Sequence, residues 1–501
     1  FQRFGDLGQT ILAAAVSAVL WASAWLTWGN DLAQTARKYG DTTPLLLTLL
    51  TAGLVYYSPF FILTLISIAA LFALFYLRPD LSLPLIAFFA PFYLLPRPLW
   101  DRAFSMVEIC AVLAVAATLL RLIPSLRNTR RALPTFDSSF IIHHSAFALD
   151  LSVLAFILVS AASIFIAEIR GVAIREFRVI VLEPALFYFL FRFIPLDRKA
   201  IWRVVDFFLI GAVIVALIGL GNTLTGANLI TAEGGVARIR SVFGSPNNLG
   251  LFLGRALPIA AAVILMARHS ARRLIYALAA IPIAAAVLLS FSKGALLLGL
   301  PAGLMVVLLF WGGRRAAIAL IILAIVGGLA FIPLSSNARF ADLLNLASGT
   351  SFFRIPLWRS ALTMFADHPF LGVGLDNFLY QYRGRYILPE AWQEPNLPHA
   401  HNFILDALTR LGLLGFAALA AMLYAFFRVG ADCIRDQDPD TRALAVGLVA
   451  SMIAALAHGL VDTSYWFVDL AFMFMMTLGL MTAIYRTTDA ENSTDQSAPL
   501  S

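Results

Sequence analysis

The chain has 501 residues, 60% of them hydrophobic and only 13% charged, with a mean hydropathy of +0.85. A soluble protein of this size needs far more charged surface, so the composition excludes one and points to an all-α, polytopic membrane bundle. The net charge of +7 is not a nucleic-acid footprint, because the basic residues lie mostly in short loops between apolar runs.

Apolar runs of about 20 residues recur along the chain, each able to cross a hydrocarbon core of ~30 Å as a helix. Spans are expected near 9–28, 50–77, 82–97, 104–121, 150–168, 176–194, 201–223, 247–267, 272–290, 294–311, 315–334, 403–427, 443–459 and 465–485. These make about 12 to 14 crossings, since hydropathy places helices better than it counts them. The first is too long for a signal-peptide core and is read as a retained helix. The run up to Leu77 is long for one helix, and Pro59 stands where it would divide it. The chain thus reads as N-terminal helices (1–223), central helices with a short external loop at 224–246 (224–334), a large external loop (335–402), C-terminal helices (403–486) and a polar tail (487–501). The tail lacks apolar periodicity and is read as disordered and cytoplasmic.

Arg127, Arg130 and Arg131, then Arg198 and Lys199, then Arg268, Arg272 and Arg273, then Arg314 and Arg315, then Arg435 and Arg442 mark the cytoplasmic loops. Segments 224–246 and 335–402 and the turn around Asp462 fall on the other side. Cys110 lies within a span and Cys433 in a cytoplasmic loop, so no disulfide framework is implied. Segment 335–402 is neither low-complexity nor charge-rich, and an ordered cap is expected, with a short helix from Ile355 to Phe365.

The external side carries arginines against the charge bias. Arg339, Arg383 and Arg385 read as solvated or paired with Glu390, Asp367 or Asp376, because long loops cross whatever their charge. Arg238 and Arg240 differ in context: Arg240 opens the turn-rich run to Asn248. Arg354 sits among Phe352, Phe353, Ile355 and Trp358. A guanidinium among aromatics at a membrane surface needs an anion, and its fork suits phosphate oxygens. Lys293, at the external end of its span, either adds a point charge or simply snorkels.

The polar run Pro398-His399-Ala400-His401-Asn402 abuts the apolar helix that starts at Phe403. Asn402 or His401 can cap that helix, and its N-terminal field disfavours imidazolium. A neutral imidazole facing water is competent as a general base, although on spacing alone polar interfacial residues without chemistry fit slightly better. A zinc site fits poorly: His399-x-His401 is not helical metal spacing, and no cysteine or carboxylate cluster accompanies it, so no metal is expected. His458 and Asp462, four apart, read as sharing one helical face, paired with each other or supporting a histidine. Arg178 and Glu183 are expected to face the bundle interior.

Three segments together resemble the O-antigen ligase and polymerase superfamily. They are Arg240 to Gly250, then Trp358 through Asp367-His368-Pro369-Phe370-Leu371-Gly372-Val373-Gly374 to Phe378, and His401-Asn402 followed by Gly412 and Gly415. The similarity runs over roughly 237–480. The resemblance implies a GT-C-type glycosyltransferase of the cytoplasmic membrane. It would move a glycan from an undecaprenyl-diphosphate carrier to an acceptor hydroxyl on the outer face, with inversion. By resemblance His401 is the base and Arg240 and Arg354 hold the diphosphate, with Arg238 and Lys293 beside them. Asn402, His399, Asp462 and His458 are the supporting residues, and no cofactor, metal or nucleotide sugar is implied. The acceptor would be a glycan, a lipid core or a protein, so a ligase and a polymerase both fit, with the histidine motif nearer the ligase form. Arg410 stands where relatives often carry Glu, and Lys293 where many carry Arg. A transporter or flippase of lipid-linked glycans is the alternative, disfavoured because the polar groups gather at one membrane face.

Overall fold

The structure is a computed structural model and describes residues 40–99, 102–129, 144–231, 237–334 and 354–496. The expected first span, Arg130, Arg131 and Arg339 lie outside the described residues.

The chain divides into two compact units at Leu81. In the first, α1 (Thr42–Tyr57) and α2 (Phe61–Leu77) pack on each other. Pro59 does divide this run: Ser58, forced off the helical region by the following proline, is extended (ψ 125°), and its Oγ accepts the Phe60 N–H at 3.2 Å. Arg78 ends the unit, donating to Asp80 and Asp41 at 2.7–2.9 Å.

The second unit opens with α3 (Ser82–Phe89), which is not the full span expected at 82–97. Eight residues reach only about 12 Å. A 3₁₀ turn at Ala90–Phe92 and a small hairpin, β1 (Arg97–Leu99) with β2 (Arg102–Phe104), follow, as the prolines Pro91, Pro96 and Pro98 require. Next come α4 (Met106–Thr129), α5 (His144–Ile166), α6 (Arg170–Glu176), a π-helical turn (Phe177–Leu182) and α7 (Glu183–Phe193). The run expected as one span at 176–194 is helical from end to end but carries a π-helical turn at Phe177–Leu182. Pro184 has no N–H for the Ile180 carbonyl, which accepts the Tyr465 hydroxyl instead at 3.1 Å.

Helix α8 (Arg198–Thr225) leads to a second hairpin, β3 (Leu229–Thr231) with β4 (Ala237–Ile239), in the external loop. Then α9 (Pro246–Met266), α10 (Ser270–Ser290), a π-helical turn (Gly294–Gly299) and α11 (Leu300–Leu334) follow. The two helices expected at 294–311 and 315–334 are the two limbs of α11, separated by the non-helical Gly313 (φ 57°), and only the first is long and apolar enough to count as a span. The cap holds α12 (Arg354–Asp367) and α13 (Phe378–Gln381). The chain closes with α14 (Phe403–Cys433), α15 (Pro439–Gly459) and α16 (Val468–Gln496). Two sequence expectations are corrected here. Residues 487–496 continue α16 rather than forming a disordered tail, and Cys433 is the buried last residue of α14 rather than a loop residue.

Among the described residues, eight helices are long and apolar enough to cross a membrane: α5, α8, α9, α10, the first limb of α11, α14, α15 and α16. The apolar stretches of α9 and α15 are 78% buried and that of α16 is 89% buried, against 28% for α10, so those three form the centre of the bundle. Lipid offers no hydrophobic drive between helices, and close approach must supply the packing. Gly447 of α15 provides it, lying on the Ile259 backbone of α9. The multi-pass membrane architecture read from composition is the architecture observed.

Candidate active site

Helix α14 begins at an Asn402 N-cap. The Asn402 Oδ1 accepts the Ile404 and Leu405 N–H groups at 3.0 Å, and its Nδ2 donates to the Leu460 carbonyl at 2.9 Å. One side chain thus caps α14 and ties it to the turn after α15.

The residues before the cap are fixed by side chains. The Ala400 N–H donates to Asp406 Oδ1 at 2.6 Å, and its carbonyl accepts Trp358 Nε1 at 3.0 Å. The Pro398 carbonyl accepts Arg410 Nη2 at 3.0 Å. Asp406 and Arg410 are four apart and share one buried face of α14. These bonds hold His401 at φ 48°, a left-handed conformation uncommon outside glycine.

His401 Nδ1 lies 3.0 Å from Asp462 Oδ1, which also accepts the Thr463 N–H at 2.9 Å. Burial alone would raise the Asp462 carboxyl, but the imidazoles of His401, His399 and His458 outweigh it and hold the group far below the usual carboxylate range. An ionised carboxylate only accepts, so His401 carries its proton on Nδ1 and leaves a lone pair on Nε2. The His401 side chain is 25% exposed, so that lone pair can meet a ligand.

His399 is buried beneath it, with ring centroids 4.1 Å apart. Its Nδ1 accepts the His401 N–H at 3.3 Å, and burial, with the His401 imidazole beside it, lowers its pKa well below the ordinary value, so it is neutral. Helix α15 ends at Gly459, so His458 and Asp462 do not share a helical face as the spacing suggested. The turn sends Asp462 to His401, while the His458 ring packs on Gly294, where a Cβ would overlap it. Arg354, in the first turn of α12, feels Asp462, His399 and His458 electrostatically. Burial lowers its pKa against the pull of Asp462, and no hydrogen bond or ion pair engages its guanidinium among the described residues.

The structure therefore brings together His399, His401, Asp462, His458 and Arg354, with Asn402 capping beside them. Lys293 adjoins the Gly294 that carries His458. Arg238 donates to the Ser290 carbonyl at the end of α10 at 2.8 Å and to Asn247 Oδ1 in the first turn of α9 at 2.9 Å. Arg240 donates within its own loop, to Asn228 Oδ1 at 2.7 Å and the Gly244 carbonyl at 3.4 Å, and has no contact with the histidine cluster among the described residues. Arg383 and Arg385 are exposed, as the solvated reading has it, and the groups they approach are not Glu390, Asp367 or Asp376. Arg385 faces Glu168 at 3.7 Å, and Arg383 reaches Asn396 at 3.4 Å.

The ligand atoms of His399, His401 and Asp462 all lie within 4.8 Å of one another, enough to hold a metal ion. The sequence shows no carboxylate cluster beside this histidine pair; the fold brings Asp462, 61 positions away, against His401. Both Nδ1 atoms are engaged in hydrogen bonds, which an ion binding there would have to displace.

The glycines have a mechanical purpose. Gly412 (φ 64°) breaks α14 and frees the Thr409 and Arg410 carbonyls, which accept the Val373 and Gly374 N–H groups at 2.8 and 3.1 Å. Below the break, the Leu413 and Leu414 N–H groups donate to Pro369 and Phe370 at 2.7 and 3.2 Å. A Cβ at Gly412 would overlap the Phe370 carbonyl, and one at Gly372 the Thr409 carbonyl. Asn377 is structural: its Oδ1 accepts the Ile169 N–H at 2.8 Å and docks the cap between α5 and α6.

Two charged groups complete the surroundings. Arg178 bridges Glu108 and Glu183, each at 2.9 Å, with Glu183 facing the interior as expected and Arg178 half exposed. The other is a buried pair the sequence did not reveal. Arg410 Nη1 binds both Glu176 oxygens at 2.5 and 2.7 Å. The only sequence signal was that an arginine occupied a position usually acidic in similar chains.

Residues 277–420 match the family described as O-antigen ligase. Over those residues the chain is similar to an O-antigen ligase. That family is one of membrane glycan transfer, between a lipid-linked glycan and an acceptor. No curated protein matches the chain. The matched ligase region contains Lys293, Arg354, His399, His401, Asn402, Gly412 and Gly415. Arg238 and Arg240 precede it; His458 and Asp462 follow it and complete the cluster from outside the ligase match.

Proposed function

We propose that this protein is a ligase that moves a glycan from undecaprenyl diphosphate to an acceptor hydroxyl, at the outer face of the cytoplasmic membrane. The observation that carries this reading is the His401–Asp462 contact of 3.0 Å, which directs a free Nε2 lone pair outward. His401 Nε2 takes the acceptor proton as the acceptor oxygen bonds to the anomeric carbon. The bond from that carbon to the diphosphate breaks, and the electron pair leaves with the diphosphate. A single displacement inverts the anomeric centre. Asp462 stabilises the imidazolium that forms and fixes its tautomer.

Arg354, whose guanidinium has no hydrogen bond or ion pair among the described residues, binds the diphosphate and steadies its growing charge. Lys293, beside the Gly294 that His458 packs on, and Arg238, bonded to Ser290 at the end of α10, add positive charge. Arg240 acts at the rim. Donor and acceptor supply the groups that react, and the residues named need no metal for this step. A polymerase would use the same groups and differ only in its acceptor.

The test is glycan transfer by purified protein, wild type against His401→Ala, with an undecaprenyl-diphosphate oligosaccharide and a panel of acceptors. Loss of a general base costs ~10²–10⁴-fold in rate. A loss of that size, in a variant that folds and still binds donor, supports the reading. Transfer at the wild-type rate would sink it and return the motif to a structural cap.

A further inference from the structure

We propose that Arg410 is a positioning residue: clamped by Glu176, it sets the backbone from which His401 is presented. The inference rests on His401 acting as the base.

Arg410 is 3% exposed and Glu176 8%, so neither charge is solvated. Glu176 ends α6, 234 positions earlier in the chain, and it occupies one arm of the guanidinium with both oxygens. The other arm donates to the Pro398 carbonyl. The Trp466 ring lies 5.2 Å from the guanidinium carbon, and the carboxylates of Asp406 and Asp376 also act on it. A pair that served stability alone has no need of the second arm.

The anchored backbone is the one that carries the strained residue. His401 at φ 48° persists only while its surroundings over-determine it. Four side chains do so: Asp406 and Trp358 on Ala400, Arg410 on Pro398, and His399 on the His401 N–H. Only the Arg410 anchor reaches across to another part of the bundle through an ion pair. A guanidinium can serve both partners because its nitrogens are fixed in a planar fork, whereas a lysine presents one nitrogen. The arrangement therefore converts the location of α6 into the location of the imidazole. Misplacement of a reacting group by about 1 Å costs on the order of 10²-fold in rate.

Two variants test this in the full-length protein, with kcat, donor KM and thermal midpoint measured for each beside His401→Ala. Arg410→Lys keeps the charge opposite Glu176 but cannot hold Pro398 as well. It is expected to lower kcat about 10- to 100-fold while donor KM stays within about threefold. The swap Glu176→Arg with Arg410→Glu restores a buried ion pair but leaves no donor for the Pro398 carbonyl. It is expected to recover thermal stability relative to Arg410→Glu alone while kcat stays low. Unchanged kcat in Arg410→Lys overturns the proposal, as does a swap that restores kcat together with stability. Should the swap fail to fold, kcat of Arg410→Lys decides alone. If His401→Ala is inactive and Arg410→Lys is not, only the positioning role falls. If His401→Ala keeps full activity, the base assignment itself falls, and the positioning role with it.

Discussion

Asp462 and His401 are 61 residues apart and meet at 3.0 Å, through one carboxylate oxygen and one ring nitrogen. The contact decides which imidazole nitrogen is free, and so which face of the cluster can do chemistry. Asp462→Asn keeps the shape but loses the charge and permits the wrong tautomer. A fall in kcat of at least ~10²-fold with donor binding preserved is expected, read by steady-state transfer kinetics. Full activity in Asp462→Asn would show that the tautomer is set by something else.

Arg354 makes a different prediction, because it is assigned to the donor rather than to the proton. Arg354→Gln is expected to raise the donor KM or Kd, by ~10-fold or more, as a charge-assisted contact to phosphate is lost. Arg354→Lys recovers part of that loss, since a point charge replaces the fork. Binding of a non-transferable undecaprenyl-diphosphate analogue measures it directly. Equal affinity in wild type and Arg354→Gln would remove Arg354 from the donor site.

Gly412 and Gly226 separate strain from overlap. Both have positive φ, 64° and 69°, but Gly226 has open space around it, while a Cβ at Gly412 meets Phe370. Gly226→Ala is expected to cost about 1–2 kcal/mol from the left-handed backbone alone. Gly412→Ala is expected to lower the thermal midpoint further and reduce activity, because the cap and α14 cannot both keep their places. Equal midpoints for the two variants would mean that the overlap is relieved elsewhere.

Asp376 gives a pH dependence. Burial raises its carboxyl above the ordinary value, against the pull of Arg410 and Arg175. Above the ordinary carboxylate range the unfolded chain gives up this proton first. Stability therefore falls as pH rises, until the raised folded-state pKa is passed. Asp376→Asn removes that penalty and suits the backbone, which is at φ 53° here, a region asparagine tolerates. Its thermal midpoint is expected above that of wild type at neutral pH, the gap closing as pH falls. A gap that does not change with pH would point to the backbone rather than the charge.

Chelation completes the set. With both Nδ1 atoms hydrogen-bonded and Nε2 of His401 acting as the base, incubation with EDTA is expected to leave transfer unchanged. Loss of transfer, restored by Zn²⁺, would turn His399, His401 and Asp462 into a metal centre.

The sequence already displayed the membrane class, the central and C-terminal helices, the α12 helix and the histidines at a helix mouth. Those features depend on local periodicity and on a cap residue next to an apolar run. What stayed hidden depends on contacts between distant positions. The spacing of His458 and Asp462 suggested a shared face because nothing local announced that α15 stops at Gly459. Hydropathy could not see that Pro184 leaves a carbonyl for Tyr465, nor that α3 is too short to cross. Glu176 and Arg410 each look like a misplaced charge until the fold sets one beside the other. The spacing of Gly412 was visible, but its reason, a helix opened to receive the cap backbone, was not.

The four hydrogen bonds between 369–374 and the two limbs of α14 also restrict how substrates arrive. The base of the cap is woven into a transmembrane helix, so it cannot swing away as a hinged lid without tearing that helix's own backbone. On the proposed function, a lipid-linked donor would have to reach the histidines while this base stays in place.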